Sequence, residues 1–327
     1  MRTILKAMAI LATAVTITSG AARAEYPERV ITLIVPFAAG GAADVTGRIM
    51  ADAIGKRLGQ SVIVENVAGA GGTTGIARGA SSEGDGYTIV LGHMGTHAAA
   101  PALYPQLAYD PSSSFKPLGL VTRSPIIVFA RKDLPAKNFA EFLEYARSHP
   151  TEYTNGHSGA GSISHITCAL LSSVGKFEAT LVPYRGNGPM MNDMLGGSVD
   201  FSCDLVVSVS SQVKGQAVKG LAVAAKERSK AVPDVPTTVE AGLPDFQADT
   251  WTGLFVPATT PDEIAQRLEA AITSSLDDPE VRKRLEDLGA EVPKPDERGG
   301  RYLADLVSSE RLRWAEVIKS ANITIAQ

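Results

Sequence analysis

Short apolar runs alternate with stretches of helical periodicity along most of this chain. Residues 31–37 form a near-continuous apolar strand. Behind it Val45, Ile49, Met50, Ala53, Ile54 and Leu58 recur at helical spacing, opposite Arg48, Asp52 and Lys56. Asp44 stands where an N-cap belongs. The pattern continues with a strand at 62–66, a glycine-rich turn at 68–72, a short helix, and a strand at 87–92.

A surface loop rich in proline and serine is expected at 100–116. Residues 118–130 read as one long extended stretch, 138–148 as a helix, and 181–184, 199–204 and 220–225 as strands. A proline-rich connection (232–244) leads to a strand at 250–257. Thr260, Pro261, Asp262 and Glu263 then have the form of a helix start, with threonine as N-cap and proline at the first position. This alternation predicts an α/β fold with a largely parallel sheet. The stretches 118–130 and 250–257 read as crossings between two domains. They predict a discontinuous first domain of 25–122 and 253–327 and a second of 123–252.

The first residues add a location. Arg2 and Lys6 precede an apolar run at 7–19 and the small-residue site Ala22-Arg23-Ala24, the arrangement of a secretory signal peptide spanning 1–24. The run is shorter than the roughly 20 residues a spanning helix needs. Export to the periplasm is the expectation. Without Arg2, Lys6 and Arg23, the 31 basic residues become 28 against 35 acidic ones, and net charge moves from −4 to −7. An acidic surface argues against nucleic acid as a partner and requires any acidic ligand to be held by a local site. Cys168 and Cys203 are compatible with a disulfide or with two buried thiols.

Candidate chemistry gathers where a strand runs through a glycine turn into a helix. This occurs once at Phe37, Ala39, Gly40 and Gly41, and again at Ser158, Gly159, Ala160, Gly161 and Ser162, with His165 on the helix that follows. A helix N-terminus presents unpaired N–H donors and the positive end of its dipole, so each turn is a potential anion grip. Asn66, His93, Thr96, Tyr184 and Asp204 stand at or just beyond strand ends and are candidate walls of the same cleft. A carboxylate at 204 favours a ligand with a hydroxyl or amine besides its acid group.

Rival chemistries fail on spacing. The run AGAGGTTG (68–75) lacks the G-x-G-x-x-G fingerprint, and neither Lys56 nor Lys176 sits in a GK[ST] phosphate loop. His93 and His97 are four apart but lack the HExxH glutamate, so no metal site is expected. Ser158 nearly completes the G-x-S-x-G elbow of a secreted α/β serine hydrolase. His165 is the only histidine after it, too close in sequence for the usual order of a triad. Hydrolysis at Ser158 stands as the alternative function.

Six segments occur in order: PFAAGGAADVTGR, VENVAGAGGTTG, SGAGSISH, VPYRGNGPMMNDMLGGSVD, PDVPTTVEAGLP and WTGLFVPATTP. Together they resemble the Bug-type substrate-binding receptors of tripartite tricarboxylate transporters over essentially the whole mature chain. The resemblance implies a type II periplasmic binding protein fold, with two α/β domains around a hinged ligand cleft, and no catalysis, cofactor or metal. It implies a monomer that captures a small organic carboxylate for uptake or sensing, in concert with the membrane subunits of such a transporter. Di- and tricarboxylates, acidic amino acids and aromatic acids are the ligand classes it brings. The carboxylate-holding turns of the family fall on 37–41 and 159–162. Met190, Met191 and the stretch LVVSVSS after Asp204 depart from the family pattern.

Overall fold

The computed structural model of the chain describes residues 26–320 and 323–324, so the signal peptide read at 1–24 lies outside the described residues. The strands are β1 (Ile31–Val35), β2 (Val62–Asn66), β3 (Thr88–His93), β4 (Phe115–Arg131), β5 (Thr154–His157), β6 (Thr180–Pro183), β7 (Phe201–Leu205), β8 (Val218–Val223) and β9 (Asp249–Pro257). Between them lie α1 (Ala42–Leu58), α2 (Thr73–Ala80), α3 (Ala100–Leu103), α4 (Phe139–Ser148), α5 (Ile163–Gly175), α6 (Asn187–Leu195) and α7 (Val206–Lys214). The chain closes with α8 (Asp262–Ser275), α9 (Pro279–Asp287) and α10 (Gly300–Ser320).

Two α/β halves share one path of strands, ordered β2-β1-β3-β9-β4-β7-β5-β6, with β8 beside β4. Pairing is parallel where strand–helix–strand units repeat, as in β1 with β2 and β3, and β5 with β6 and β7. Every pair made by β4 or β9 is antiparallel, so the sheet is mixed rather than largely parallel. β4 joins the halves by exchanging partners. Up to Pro125 it pairs with β9, and from Ile126 with β7 and β8. Proline has no N–H to give a ladder, which suits the point where one set of bonds stops and another begins.

One buried cluster runs through both halves, from Val90 and Phe255 to Phe142 and Phe201, and two others are confined to a single half. Ile31, Leu33 and Val35 pack with Ile49, Met50 and Ile54 of α1 and with Leu268 and Ile272 of α8. Ile127 and Phe129 pack with Met190, Met191, Met194 and Val199. The two methionines that depart from the family pattern are core residues, a role their flexible side chains suit. Cys168 and Cys203 form a disulfide that ties α5 to β7. Among the described residues no helix is long and apolar enough to cross a membrane.

Two helix starts differ from the sequence reading. The N-cap of α1 is Gly41, not Asp44, because the Asp44 carboxylate turns back to accept from the Gly40 N–H at 3.0 Å. The N-cap of α8 is Pro261, not Thr260. The Thr260 carbonyl instead accepts from Lys116 Nζ at 2.7 Å.

Candidate functional site

β1 runs into α1 and β5 into α5, so the carboxyl ends of both parallel sets deliver a helix N-terminus to the gap between the halves. That is where open α/β sheets bind ligands. The gap holds a cavity of about 40 Å³. Phe37, Gly41, Ala42, Ala43 and His93 line it from the first half. From the second come Ser158, Ser162, Ile163 and Ser164, joined by Asn187, Asp204 and Leu205.

The first turn is braced from behind. Gly40 adopts φ +91°, and Asp44 holds its N–H. Asp44 also pairs with Arg48 at 2.9 Å and accepts from Asn66 Nδ2 at 3.0 Å. Burial opposes ionisation of Asp44, but the hydrogen bonds from Arg48, Gly40 and Asn66 outweigh it and hold its carboxyl below the usual range. Asn66 also donates to the Phe37 carbonyl at 2.9 Å, so its amide fixes the turn rather than facing the cavity. Ala39 and Gly40 lie exposed, outside the lining. The N–H groups of Ala42 and Ala43, which a helix cannot satisfy internally, remain at the cavity wall.

The second turn repeats this economy of donors. Ser162 caps α5 by accepting the His165 N–H at 3.3 Å. The Gly161 N–H goes to His165 Nδ1 at 3.1 Å, and the Ser158 N–H to Ser164 Oγ at 2.9 Å. The donors left at the wall are the N–H groups of Ile163 and Ser164, beside the Ser158 hydroxyl. Burial lowers the His165 pKa to about 4, with His157 nearby adding to the effect, so the ring is neutral near pH 7. With Nδ1 accepting, its proton sits on Nε2. His93 is alike. It stacks on Phe37 at 5.1 Å, takes the Gly95 N–H on Nδ1 at 3.0 Å, and is lowered by burial to about 3.

Among the described residues that line the cavity, Asp204 is the only acidic one and none is a lysine or arginine. Asn187 Nδ2 donates to its Oδ2 and the Leu205 N–H to its Oδ1, both at 2.7 Å. Burial pushes its pKa up against these bonds.

Other residues read from the sequence lie elsewhere. Thr96 is fully buried, with its hydroxyl 3.0 Å from His97 Nδ1, and supports the His93 loop. The Tyr184 hydroxyl turns away to Asp193 Oδ2 at 2.7 Å. Gly159, Ala160 and Gly161 pack against Gly71 and Tyr104 of the opposite half instead of lining the cavity. The glycine run rejected as a nucleotide loop is thus a contact surface between halves. Among the described residues no histidine ring nitrogen hydrogen-bonds the Ser158 hydroxyl, the pairing by which a hydrolase activates its serine. Sequence reading missed Ala42, Ala43, Ile163, Ser164, Asn187 and Leu205. A helix start placed at Gly41 would have exposed the first two, since anion donors sit in the first helical turn.

Two helix N-termini from opposite halves face one small space without a cationic side chain, an arrangement suited to an anion held by backbone dipoles. Comparisons with known proteins give the family. Residues 46–323 match the family described as tripartite tricarboxylate transporter family receptor. MatC from Rhodopseudomonas palustris, solved with bound malate, is 44% identical with a TM-score of 0.86, covering 90% of this chain and 100% of that one. The periplasmic binding protein BugD is 36% identical with a TM-score of 0.88, over 91% and 99% of the two chains. A UPF0065 protein of Agrobacterium vitis is 40% identical over 316 residues, 96% of this chain and 91% of its own.

Proposed function

The chain belongs to the tripartite tricarboxylate transporter receptor family, and from that premise we propose that it is a periplasmic receptor for a small dicarboxylate. One observation carries the proposal. Ala42 and Ala43, which open α1, line the same cavity as Ile163 and Ser164, which open α5, from opposite halves, and the first N–H groups of a helix have no intrahelical acceptor. Each pair takes one carboxylate, and a ligand with two acid groups bridges them. The malate bound by MatC, at 44% identity, favours the same ligand size.

The halves act as domains of 25–122 with 253–327 and of 123–252, swinging where β4 changes partners near Pro125. The signal peptide exports the chain, and the closed form presents its ligand to the membrane subunits of a tripartite transporter. It performs no catalysis. Charge-assisted hydrogen bonds of about 1.5–3 kcal/mol each and helix ends of ~0.3–2 exceed an association cost of at least ~4. A micromolar constant, near −8 kcal/mol, lies within what remains.

A thermal-shift screen with mono-, di- and tricarboxylates and acidic amino acids tests this. Stabilisation is expected from four-carbon dicarboxylates in particular. Silence across all acids, with a shift for sugars or metal ions, would overturn it.

A further inference from the structure

Asp204 presents a chemical problem to an acid ligand. It is a buried carboxylate, 7% exposed, in the wall of a cavity whose other features favour an anion. A plain diacid brings only acceptors. Set beside the buried Asp204, it places like charges together where screening is weak.

The surroundings hold Asp204 as an acceptor. The Asn187 amide fixes one oxygen and the Leu205 N–H the other, with the Ser208 side chain a third partner, on a group that offers about four lone-pair sites. Asn187 is the first residue of α6, and its Cβ lies opposite Gly41 of the first turn, where an added methyl would sit 3.4 Å away. The pair therefore stands beside the first helix N-terminus. The amide of Asn187 has a second N–H to donate, and Asp204 has lone pairs to accept with. A hydroxyl, which donates once and accepts, satisfies both residues. An ammonium has three donors and no lone pair, so it leaves the second Asn187 N–H without an acceptor.

We infer that Asn187 and Asp204 read a hydroxyl on the carbon chain of the ligand, Asp204 accepting its proton and Asn187 positioning that carboxylate. This rests on the carboxylate-receptor reading above and narrows it to hydroxy acids. A site built to bond a hydroxyl rejects the analogue without one because its own buried polar groups are then left unpaired.

Calorimetry with malate, succinate and aspartate tests it on the wild type and on Asp204→Asn, which keeps the shape and removes the charge. Wild type is expected to bind malate at least about tenfold more tightly than succinate, and more tightly than aspartate, a modest share of the discrimination such sites reach. In Asp204→Asn the malate-to-succinate ratio should fall to within about threefold, because the hydroxyl loses its charged acceptor while the relief of repulsion is common to both diacids. Equal wild-type affinity for malate and succinate, or a preference for aspartate, overturns the hydroxyl assignment while leaving the receptor reading intact. A ratio unchanged in Asp204→Asn overturns the role of Asp204. No binding of any of the three acids overturns the carboxylate-receptor reading itself. Should the variant fail to fold, the wild-type ratio alone decides the assignment.

Discussion

Gly71 of one half lies directly against Ala160 of the other, so close that a side chain on Gly71 would collide with the Ala160 carbonyl. Gly71 adopts φ +64°, a left-handed conformation that glycine takes without cost. Across the contact Gly159 is also left-handed, at φ +107°, and a methyl there would lie 3.1 Å from the Gly71 nitrogen. Two glycine turns thus meet backbone to backbone at the edge of the cavity.

Gly71→Ala should therefore weaken ligand binding while leaving each half folded. The left-handed conformation costs alanine about 1–2 kcal/mol, and the collision with Ala160 adds to this only in the closed form. Affinity is expected to fall at least about tenfold, a loss of roughly 1.4 kcal/mol. Small-angle scattering should show that ligand no longer compacts the molecule. Wild-type affinity together with normal compaction would show that the contact has no part in closure.

Tyr104 adds a hydrogen bond across the same seam. Its hydroxyl reaches the Ala70 carbonyl at 3.0 Å and the Ala160 carbonyl of the other half. Burial pushes its pKa up to about 12, so the phenol keeps its proton and donates. Tyr104→Phe removes a bond worth about 0.5–1.5 kcal/mol, or roughly two- to tenfold in affinity. The change should appear mainly as faster release, as it does for most interface changes. Stopped-flow dissociation measures it, and an unaltered release rate would exclude the bond from holding the closed form.

Acid should destabilise the fold through its histidines. Burial lowers His93 and His97 to about 3 and His165 to about 4, and also lowers His157, against an ordinary value near 6.5. Below about pH 6.5 the unfolded chain takes up protons that the folded chain refuses, so stability falls as pH drops toward these depressed values. Each histidine contributes up to about 1.4 kcal/mol per pH unit in that window. Asp204 has a raised pKa and acts in the opposite sense, but it is one group against four. The thermal midpoint should drop between pH 7 and pH 5. A midpoint that is flat or rises over that range would falsify the prediction.

The alternation of apolar strands and amphipathic helices is a local property, and it determined the α/β class and most elements to within a few residues. The glycine turns were equally legible, since a strand running through glycine into a helix must expose unpaired donors. Which donors remain free is a different matter. The Gly40 N–H is taken by Asp44, and the Gly161 N–H by His165 Nδ1. The grip therefore moves to Ala42, Ala43, Ile163 and Ser164, residues with no polar side-chain signal except the last. Met190 and Met191, departures from the family pattern, fill a core, because helical phase in the folded chain turns them inward.

The sequence by itself determined the elements, the two candidate anion grips and the absence of a usable triad order, because these depend on residues adjacent in the chain. Only the tertiary structure decided that Asn187 meets Asp204, that Gly71 closes on Ala160, and that Cys168 bonds Cys203. Each of those pairings joins residues brought together by packing and strand order, and a cavity exists only once such separate pieces share a boundary.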